Sequence, residues 1–165
     1  MKKLIFINGT MGSGKTATAR ELRKLLDADW LDGDWCWIPQ ALCLTEEKKA
    51  LALENIGLLL RYELRRGEKD ALIFSWVMHR QEIIDELLEK LAGEEFEPHF
   101  FTLLPDVETL RRRLRGDVDR GLREPVIIGR AIGHLPGFAA QRTVKIDNSD
   151  LTPRETAEKI RRELL

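Results

Sequence analysis

Residues 9–16 read Gly-Thr-Met-Gly-Ser-Gly-Lys-Thr (GTMGSGKT), and they follow the apolar run LIFI and a single asparagine. This stretch fits the pattern G-x-x-x-x-G-K-[ST] in full. Glycine permits backbone angles that other residues rarely adopt, so successive N–H groups of such a loop can turn inward around an anion. A helix that begins near Gly14 adds its unpaired N–H groups and its dipole. The stretch therefore predicts a phosphate-binding loop between a strand and a helix.

The side chains at the end of this loop suit a nucleoside triphosphate and its metal. Lys15 supplies a positive charge for the β- and γ-phosphates, and the Thr16 hydroxyl is suited to ligate Mg²⁺. The expected cofactors are therefore ATP and Mg²⁺, with GTP left open as an alternative donor. We expect the nucleotide to be held by Gly9, Met11, Gly12, Ser13, Gly14, Lys15, Thr16 and Ala17.

The composition is that of an ordinary globular protein. The chain has 165 residues, of which 43% are hydrophobic and 33% charged, and its net charge is -1. We expect a single domain over residues 1–165, located in the cytoplasm, without a signal peptide or a membrane partner. The near-neutral charge argues against nucleic-acid binding driven by bulk charge. Cys36 and Cys43 are too few for a disulfide framework and lack zinc-ligand company.

Strands and helices are predicted to alternate along the whole chain. This alternation favours a parallel sheet covered on both faces, in which ligands bind at the carboxyl ends of the strands. Residues 9–16, 32–37 and 76–80 each follow a predicted strand, so they are expected to meet at that edge. The predicted strands are 3–8, 30–32, 71–76, 98–104 and 142–147; the predicted helices are 14–27, 45–66, 80–92, 106–115 and one that starts at Thr152.

Four stretches together resemble one known group of enzymes. They are GTMGSGKT, LDGDW at residues 31–35, an arginine-rich stretch near residues 111–130, and IDNSDLTPRETAEKI near the end. Over nearly its whole length the chain is similar to the small P-loop kinases that act on nucleosides and nucleotides, shikimate, gluconate and adenylylsulfate. The resemblance implies a three-layer α/β/α sandwich with a five-stranded parallel sheet in the order 2-3-1-4-5, and an arginine-bearing lid at about residues 115–135. No single member of the group matches closely enough to be named.

Asp32 and Asp34 are two residues apart, so in an extended segment both side chains face one side. By the resemblance, Asp34 is the candidate for the base or orienting group beside the acceptor hydroxyl, and Asp32 for metal or substrate positioning, although the two roles are open to exchange. The alternative interpretation is a loop that caps a helix or forms an Asx-turn. Ser75 stands where many phosphate-loop proteins have a metal-binding aspartate, and contact with magnesium-bound water is one role for it.

Aromatic side chains surround the acidic pair. Trp35, Trp37 and Trp76 are predicted to line the acceptor pocket, which would suit a flat or partly apolar acceptor such as a nucleobase or an aromatic antibiotic. Core packing is the alternative, and Trp30 is the first candidate for it. Arg80 is predicted to pair with an anionic group of the acceptor.

Seven arginines fall within residues 106–130, among glycines and a proline that suggest a mobile segment. Guanidinium groups stabilise the charge that phosphoryl transfer gathers on the γ-phosphate. By the resemblance, Arg113 packs on adenine, Asn148 contacts the base largely through its backbone, and a second arginine is expected where this chain has Asp117. Arg120 and Arg123 are the candidate replacements for that arginine.

Three functions compete on this evidence. The first is an ATP-dependent kinase that phosphorylates a small molecule, with a nucleoside-like, nucleotide-like or antibiotic-like acceptor favoured. The second is a nucleotide-operated switch, which the absence of a metal aspartate at Ser75 disfavours. The third is a polynucleotide 5′-end kinase, which the neutral charge disfavours.

Overall fold

A computed structural model describes residues 1–37 and 45–165, and Cys43 lies outside this part of the chain. Its five strands are β1 (Lys2–Gly9), β2 (Asp29–Asp32), β3 (Ala71–Ser75), β4 (Phe96–Leu103) and β5 (Val144–Ile146). Its α-helices are α1 (Lys15–Leu26), α2 (Glu46–Arg66), α3 (Gln81–Lys90), α4 (Val107–Asp119), α5 (Val126–Gly133), α6 (Leu135–Ala140) and α7 (Pro153–Glu163). A 3₁₀ turn, Gly33–Cys36, follows β2.

The five strands form one parallel sheet in the order β2-β3-β1-β4-β5, which confirms the predicted order. Ser75 lies opposite Ile7 on one side and Asp32 on the other, and Gly9 lies opposite Leu103. The carboxyl ends of β1, β2 and β3 therefore meet at one edge. That edge is where a doubly covered parallel sheet binds its ligands.

Successive residues of β1 point to opposite faces of the sheet and build two hydrophobic layers. Leu4 and Phe6 join a cluster that includes Ile56 and Leu60 of α2 and residues of α3. Ile5 and Ile7 join a second cluster that includes residues of α1 and α7. Helices thus cover both faces, as the three-layer prediction requires. Among the described residues, no helix is both long and apolar enough to cross a membrane.

A third, smaller cluster connects the phosphate loop with the predicted lid. Leu110 and Leu114 of α4 and Ala131 of α5 are buried there, and Met11 of the loop packs against them. The sequence predicts a break after Arg115, whereas α4 continues to Asp119 and α5 and α6 follow. The partly buried Ile127 and Ile128 pack α5 against the third cluster, and the mobility that the glycines and Pro125 suggest stays a prediction.

Helix N-termini behave as their sequences predict. The Thr45 side chain accepts a hydrogen bond from the backbone N–H of Lys48 at the start of α2. At the start of α7, Thr152 and Glu155 form a complete capping box with proline in the first turn. Such caps satisfy backbone donors that a helix leaves unpaired and contribute about 1 kcal/mol each.

Candidate active site

The phosphate loop joins the end of β1 to the start of α1 and depends on its glycines. Gly12 has φ +78° and Gly14 has φ +97°, a region that side chains rarely adopt. A Cβ at Gly12 would lie 2.6 Å from Leu114 Cδ2, and a Cβ at Gly9 would lie 2.5 Å from Ser13 Oγ. The loop is therefore packed too closely on both sides for larger residues.

Lys15 lies at the first position of α1 with its ammonium group enclosed by protein. Its Nζ donates a hydrogen bond to the Thr10 carbonyl oxygen at 2.8 Å. Burial lowers the pKa of Lys15 to about 8; Asp34 and Asp32 oppose this shift and Arg123 adds to it. A desolvated cation in this position is suited to bind the terminal phosphates of a nucleotide.

Two residues from distant parts of the chain hold the Ser13 carbonyl oxygen. It accepts hydrogen bonds from Asn148 Nδ2 at 2.9 Å and from an Arg113 nitrogen at 3.3 Å. Arg113 also donates to the Asn148 carbonyl at 2.9 Å, and burial lowers its pKa. Both predicted base-contacting residues thus brace the phosphate loop. The fully buried atoms Ser13 Oγ and Asn148 Oδ1 have no hydrogen-bond partner among residues 1–37 and 45–165.

A buried amide network, which the sequence analysis missed, fixes the first residue of the loop. Asn8 Oδ1 accepts hydrogen bonds from the N–H groups of Gly9 and Met78, each at 2.8 Å. Asn8 Nδ2 donates to the Met78 carbonyl at 2.9 Å and to Gln141 Oε1 at 2.8 Å. The signal that was available is a lone asparagine at the end of an otherwise apolar strand, since a buried amide requires partners.

A further contact attaches the loop to the lid helices. The Thr10 hydroxyl donates to the Ala131 carbonyl oxygen of α5 at 2.9 Å, and both residues are fully buried. Together with the packing of Met11 on the third cluster, this bond gives the phosphate loop and α5 a shared, dry contact.

Asp32 joins the phosphate loop to the neighbouring strands. Its Oδ2 lies 3.3 Å from Thr16 Oγ1 and 3.4 Å from Ser75 Oγ, and Ser75 Oγ in turn accepts a hydrogen bond from the Trp30 indole at 2.9 Å. Its Oδ1 accepts a hydrogen bond from the Asp34 N–H at 3.0 Å. Asp32 therefore caps the 3₁₀ turn, as the alternative interpretation has it, and at the same time presents an oxygen to Thr16.

Asp34 follows on the same edge. The residue as a whole is exposed, but the surrounding protein partly shields its carboxyl group from water. This burial and the nearby Asp32 carboxylate raise the pKa of Asp34 above its ordinary value. Lys15, a hydrogen bond from the Trp76 side chain and Arg123 act in the opposite direction. A carboxylate with a raised pKa near a cationic phosphate site is suited to accept a proton.

The tryptophans fall into different environments. Trp35 is 60% exposed and lies 5.0 Å, between ring centroids, from the half-buried Trp30. Trp76 is buried against Gly33, and Trp37 packs beside it with ring centroids 6.3 Å apart. Trp37 and Trp76 therefore take part in the core, which is the alternative interpretation, while the Trp76 side chain also donates a hydrogen bond to Asp34; contact of either ring with an acceptor stays a prediction.

The lid arginines lie beside the phosphate loop. Asp117 binds Arg120 at 2.6 Å and Arg123 at 3.2 Å, so the residue that replaces the expected arginine holds both candidates. A cavity of about 360 Å³ lies between the loop and these side chains. It is lined by Gly12, Gly14, Lys15, Thr16, Ala17, Arg113, Asp117, Arg120 and Arg123.

Arg80 lies farther along this edge, at the N-terminal cap position of α3, and is exposed. Its neighbour His79 makes an edge-to-face contact with His134, with 4.9 Å between ring centroids. Burial, followed by His134 and Arg80, lowers the pKa of His79. Contact of Arg80 with an acceptor stays a prediction.

Three side chains that carry oxygen meet at one point of this edge. Within residues 1–37 and 45–165, no group of three or more His, Cys, Asp or Glu side chains has the arrangement of a metal site. Thr16, Asp32 and Ser75 nevertheless bring together two hydroxyls and a carboxylate. Mg²⁺ at nucleotide sites takes one or two protein oxygens and completes its shell with phosphates and water, so these residues fit it.

Several solved structures that resemble this protein are small kinases, and one is a drug-resistance protein. The tunicamycin resistance protein of Deinococcus radiodurans is 22% identical, with a TM-score of 0.77, and the match covers 99% of this chain and 96% of that one. Shikimate kinase from Acinetobacter baumannii, in complex with shikimate, is 20% identical, with a TM-score of 0.68 and coverage of 99% and 93%. The APS kinase CysC of Mycobacterium tuberculosis, in complex with AMPPNP and APS, is 18% identical, with a TM-score of 0.64 and coverage of 99% and 97%. At these identities the likeness establishes the fold.

No curated protein sequence matches the chain significantly. The family model described as AAA domain, in contrast, matches residues 5–124, which include the phosphate loop, the acidic pair and the first lid arginines. The match covers well over half of the 165 residues. This protein therefore belongs to the AAA domain family of P-loop proteins, and it has the fold of the small kinases.

Proposed function

We propose that this protein is an ATP-dependent phosphotransferase that moves the γ-phosphate to a hydroxyl or phosphate group of a small molecule. The observation that carries the proposal is the 3.3 Å approach of Thr16 Oγ1 to Asp32 Oδ2, because it joins the phosphate loop directly to the acidic pair. A switch needs only to bind and release its nucleotide. A carboxylate pair beside the triphosphate end is the additional element that an acceptor hydroxyl requires.

The residues fit both ATP and Mg²⁺. The enclosed Lys15 ammonium and the arginines around the cavity suit a polyphosphate, and the oxygens of Thr16 and Asp32 suit a magnesium ion. When bound, Mg²⁺ would neutralise part of the phosphate charge. Thr16 and Asp32 would hold it, and Ser75 would orient Asp32 through the contact at 3.4 Å.

Asp34 is the proposed base. It would take the proton of the acceptor hydroxyl while that oxygen forms its bond to the γ-phosphorus. The bond between the γ-phosphorus and the β–γ bridging oxygen breaks, and ADP leaves with that electron pair. Lys15 would stabilise the charge that accumulates on the phosphate oxygens. The raised pKa of Asp34 supports this assignment, since a base with a raised pKa holds the abstracted proton more firmly.

Arg123 is better placed than Arg120 to act on the transferred group. Its charge acts on both Lys15 and Asp34, whereas Arg120 is paired with Asp117 and the Gly116 carbonyl. Since Asp117 also contacts Arg123 at 3.2 Å, it would keep that guanidinium group over the cavity.

The chemical class of the acceptor is inferred from an exposed aromatic ring beside the acidic pair. The exposed ring of Trp35 beside Asp34 supports a flat or partly apolar acceptor, such as a nucleoside, a nucleotide or an antibiotic. One structural neighbour is named as a tunicamycin resistance protein, so tunicamycin belongs in the acceptor panel. We expect the reaction to take place in the cytoplasm, as the sequence predicts.

The decisive experiment measures ADP release with ATP and Mg²⁺ against a panel of nucleosides, nucleotides, sugars, shikimate-like acids and antibiotics, with an oligonucleotide that has a free 5′-hydroxyl as a further acceptor. We expect one class of acceptor to stimulate ADP release, and Lys15→Ala to abolish turnover without changing the circular dichroism spectrum. Lys24→Ala is the matched control, because this exposed lysine lies on the same helix and pairs only with Glu21 among the described contacts. Full turnover by Lys15→Ala would contradict the mechanism. ADP release that no acceptor stimulates would favour the switch, and stimulation by polynucleotide ends alone would favour an end kinase.

A further inference from the structure

The hydroxyl group of Ser75, at the end of β3, joins side chains of β2 and α1. Its oxygen accepts a hydrogen bond from the Trp30 indole nitrogen at 2.9 Å. The same hydroxyl donates to Asp32 Oδ2 at 3.4 Å, and Thr16 Oγ1 donates to that oxygen at 3.3 Å. A single hydroxyl group therefore connects Trp30 with the carboxylate that is proposed to hold Mg²⁺.

The two partners of Ser75 determine where its hydroxyl proton points. A serine hydroxyl carries one proton and rotates to suit its surroundings, whereas an indole N–H is only a donor. The Ser75 oxygen must therefore present a lone pair to Trp30, which leaves its proton for Asp32. Ser75 is 1% exposed and Asp32 is 7% exposed, so water has little access to replace either partner.

The spacing of residues on β2 and α1 brings Trp30 and Asp32 against the same helix. Residues 30 and 32 are two apart on a strand, so their side chains share one face and lie about 6 to 7 Å apart along it. Thr16 and Arg20 are four apart on α1, which is about 6 Å along the helix axis. Thr16 contacts Asp32, and the Arg20 guanidinium group lies 5.9 Å from the centre of the Trp30 ring. The helix that follows the phosphate loop thus contacts both residues of β2.

The position of the Trp30 ring is explained by packing, but its N–H group needs a separate reason. The ring is partly buried against the second hydrophobic cluster and lies beside Trp35. Any large aromatic side chain could fill this place, whereas an N–H group is useful there only if it has an acceptor. The hydrogen bond to Ser75 is therefore the feature that distinguishes tryptophan from phenylalanine at this position.

We propose that Trp30 is a positioning residue for Mg²⁺ at the nucleotide site: its indole N–H orients the Ser75 hydroxyl, and that hydroxyl holds Asp32 Oδ2 toward Thr16. The inference rests on the magnesium site of the proposed function, but it requires neither an acceptor nor turnover. Trp30 acts only through Ser75 and does not itself ligate the metal. Loss of an outer partner of a metal ligand typically costs about 10- to 100-fold in metal affinity, and we expect the lower end of that range for Trp30.

Calorimetric titration with ATP, once with Mg²⁺ and once with EDTA, tests this role. The quantity compared is the factor by which Mg²⁺ strengthens ATP binding. Trp30→Phe and Ser75→Ala should each lower this factor about tenfold, while ATP binding in EDTA changes by less than about twofold. The double variant should lose no more than either single variant, because the two groups act in series. Each factor compares two affinities of the same folded protein, so a change in stability does not mimic the effect.

Arg20→Gln is the matched control, because the exposed Arg20 contacts the Trp30 ring and not its N–H group. We expect it to leave the effect of Mg²⁺ within about twofold of the original. An Mg²⁺ effect that survives in Trp30→Phe overturns the proposal, and so do additive losses in the double variant. An equal loss in Arg20→Gln also overturns it, because packing of the ring would then be responsible.

The indole N–H signals in the proton NMR spectrum give a second readout that involves no turnover. The signal that disappears in Trp30→Phe identifies Trp30 among the four tryptophans. This signal should shift when Mg²⁺ is added to the ATP-bound protein, and the shift should be lost in Ser75→Ala. A Trp30 signal that does not respond to Mg²⁺, or that responds equally in Ser75→Ala, overturns the proposal.

The same measurements separate failure of this inference from failure of the proposed function. If Mg²⁺ does not strengthen ATP binding by the unmodified protein, the magnesium site and the role of Trp30 are both overturned. If Mg²⁺ strengthens binding but no acceptor stimulates ADP release, only the kinase activity is overturned, and the variants above still decide the role of Trp30.

Discussion

The side-chain amides of Asn8 and Gln141 are hydrogen-bonded to each other, with 2.8 Å between Asn8 Nδ2 and Gln141 Oε1, although 133 residues separate them in the chain. Both amides also bind the backbone of Met78, and Gln141 Nε2 reaches its carbonyl oxygen at 2.6 Å. Three distant segments are thereby fixed at the edge of the sheet, directly beside the first residue of the phosphate loop.

Replacement of Asn8 by leucine should lower the free energy of unfolding by about 3 kcal/mol, because buried N–H groups of Gly9 and Met78 lose their acceptor. Urea denaturation measures the loss. Asn55→Ala is the control: Asn55 is only partly buried and donates one long hydrogen bond, to Cys36, so we expect a loss below about 1 kcal/mol. Equal losses in the two variants would contradict a special role for the amide network.

Replacement of Lys15 by methionine should stabilise the fold while it removes ATP binding. Burial lowers the pKa of Lys15 to about 8, from an ordinary value of 10.5, so the charged form is disfavoured in the folded protein. The penalty is fully present below pH 8 and disappears as pH rises from there to 10.5, because the unfolded chain then binds more protons than the folded one. At pH 7 the variant should gain about 1 to 3 kcal/mol in the free energy of unfolding.

Chemical denaturation at pH 7 and pH 10 checks this gain, which should be smaller at the higher pH. Lys24→Met should show neither the gain nor its pH dependence, since Lys24 is 66% exposed. A destabilised Lys15→Met protein would mean that the hydrogen bond to Thr10 outweighs the cost of burying the charge.

Replacement of Asp32 and replacement of Asp34 should have different effects on ATP binding and on turnover. Asp32→Asn should reduce the strengthening of ATP binding by Mg²⁺, because Asp32 contacts Thr16 and Ser75. Asp34→Asn should leave ATP binding within about twofold and lower acceptor-dependent turnover by about 10² to 10⁴. Calorimetry with and without Mg²⁺, together with ADP release, makes the comparison. If the two variants lose binding and turnover equally, the proposed division of roles is wrong.

Arg123 and Arg120 offer a matched pair on the lid. Arg123→Gln should lower the turnover number by about 10² to 10³, the loss expected for one donor that stabilises transition-state charge. Arg120→Gln should cost less than about tenfold, because Arg120 is an exposed partner of Asp117. Steady-state kinetics at saturating ATP gives both numbers, and the opposite ranking would identify Arg120 as the phosphate arginine.

The sequence predicts most of the fold because its signals are local. GTMGSGKT defines the loop by its own glycines, the alternation of apolar strands and amphipathic helices predicts the sheet, and Thr152 with Glu155 marks the last helix. The lid is different, since α5 exists through its packing on Leu110, Leu114 and Met11, and nothing within residues 126–133 indicates that contact.

The sequence predicts candidate residues for the site, but not the hydrogen bonds that join distant residues there. Lys15, Thr16 and Asp32 lie near one another at the edge of the sheet, and their roles stay predictions. The side chains that hold the phosphate loop in place depend on long-range geometry: Asn148 and Arg113 donate hydrogen bonds to the Ser13 carbonyl, and Gln141 accepts one from Asn8. Trp37 illustrates a second limit of the sequence. An aromatic residue that lines a pocket and one that packs against the core have the same sequence context, so the pattern alone does not distinguish the two environments.

The braces on the phosphate loop have a consequence for biosynthesis. Three residues in or beside the loop form hydrogen bonds with partners more than a hundred positions later in the chain. Thr10 binds Ala131, Ser13 binds Asn148 and Asn8 binds Gln141. A ribosome synthesises a chain from its amino terminus, so the GTMGSGKT motif is made well before the residues that hold it in its final shape. The loop therefore reaches its braced shape only after residues 131–148 have been made.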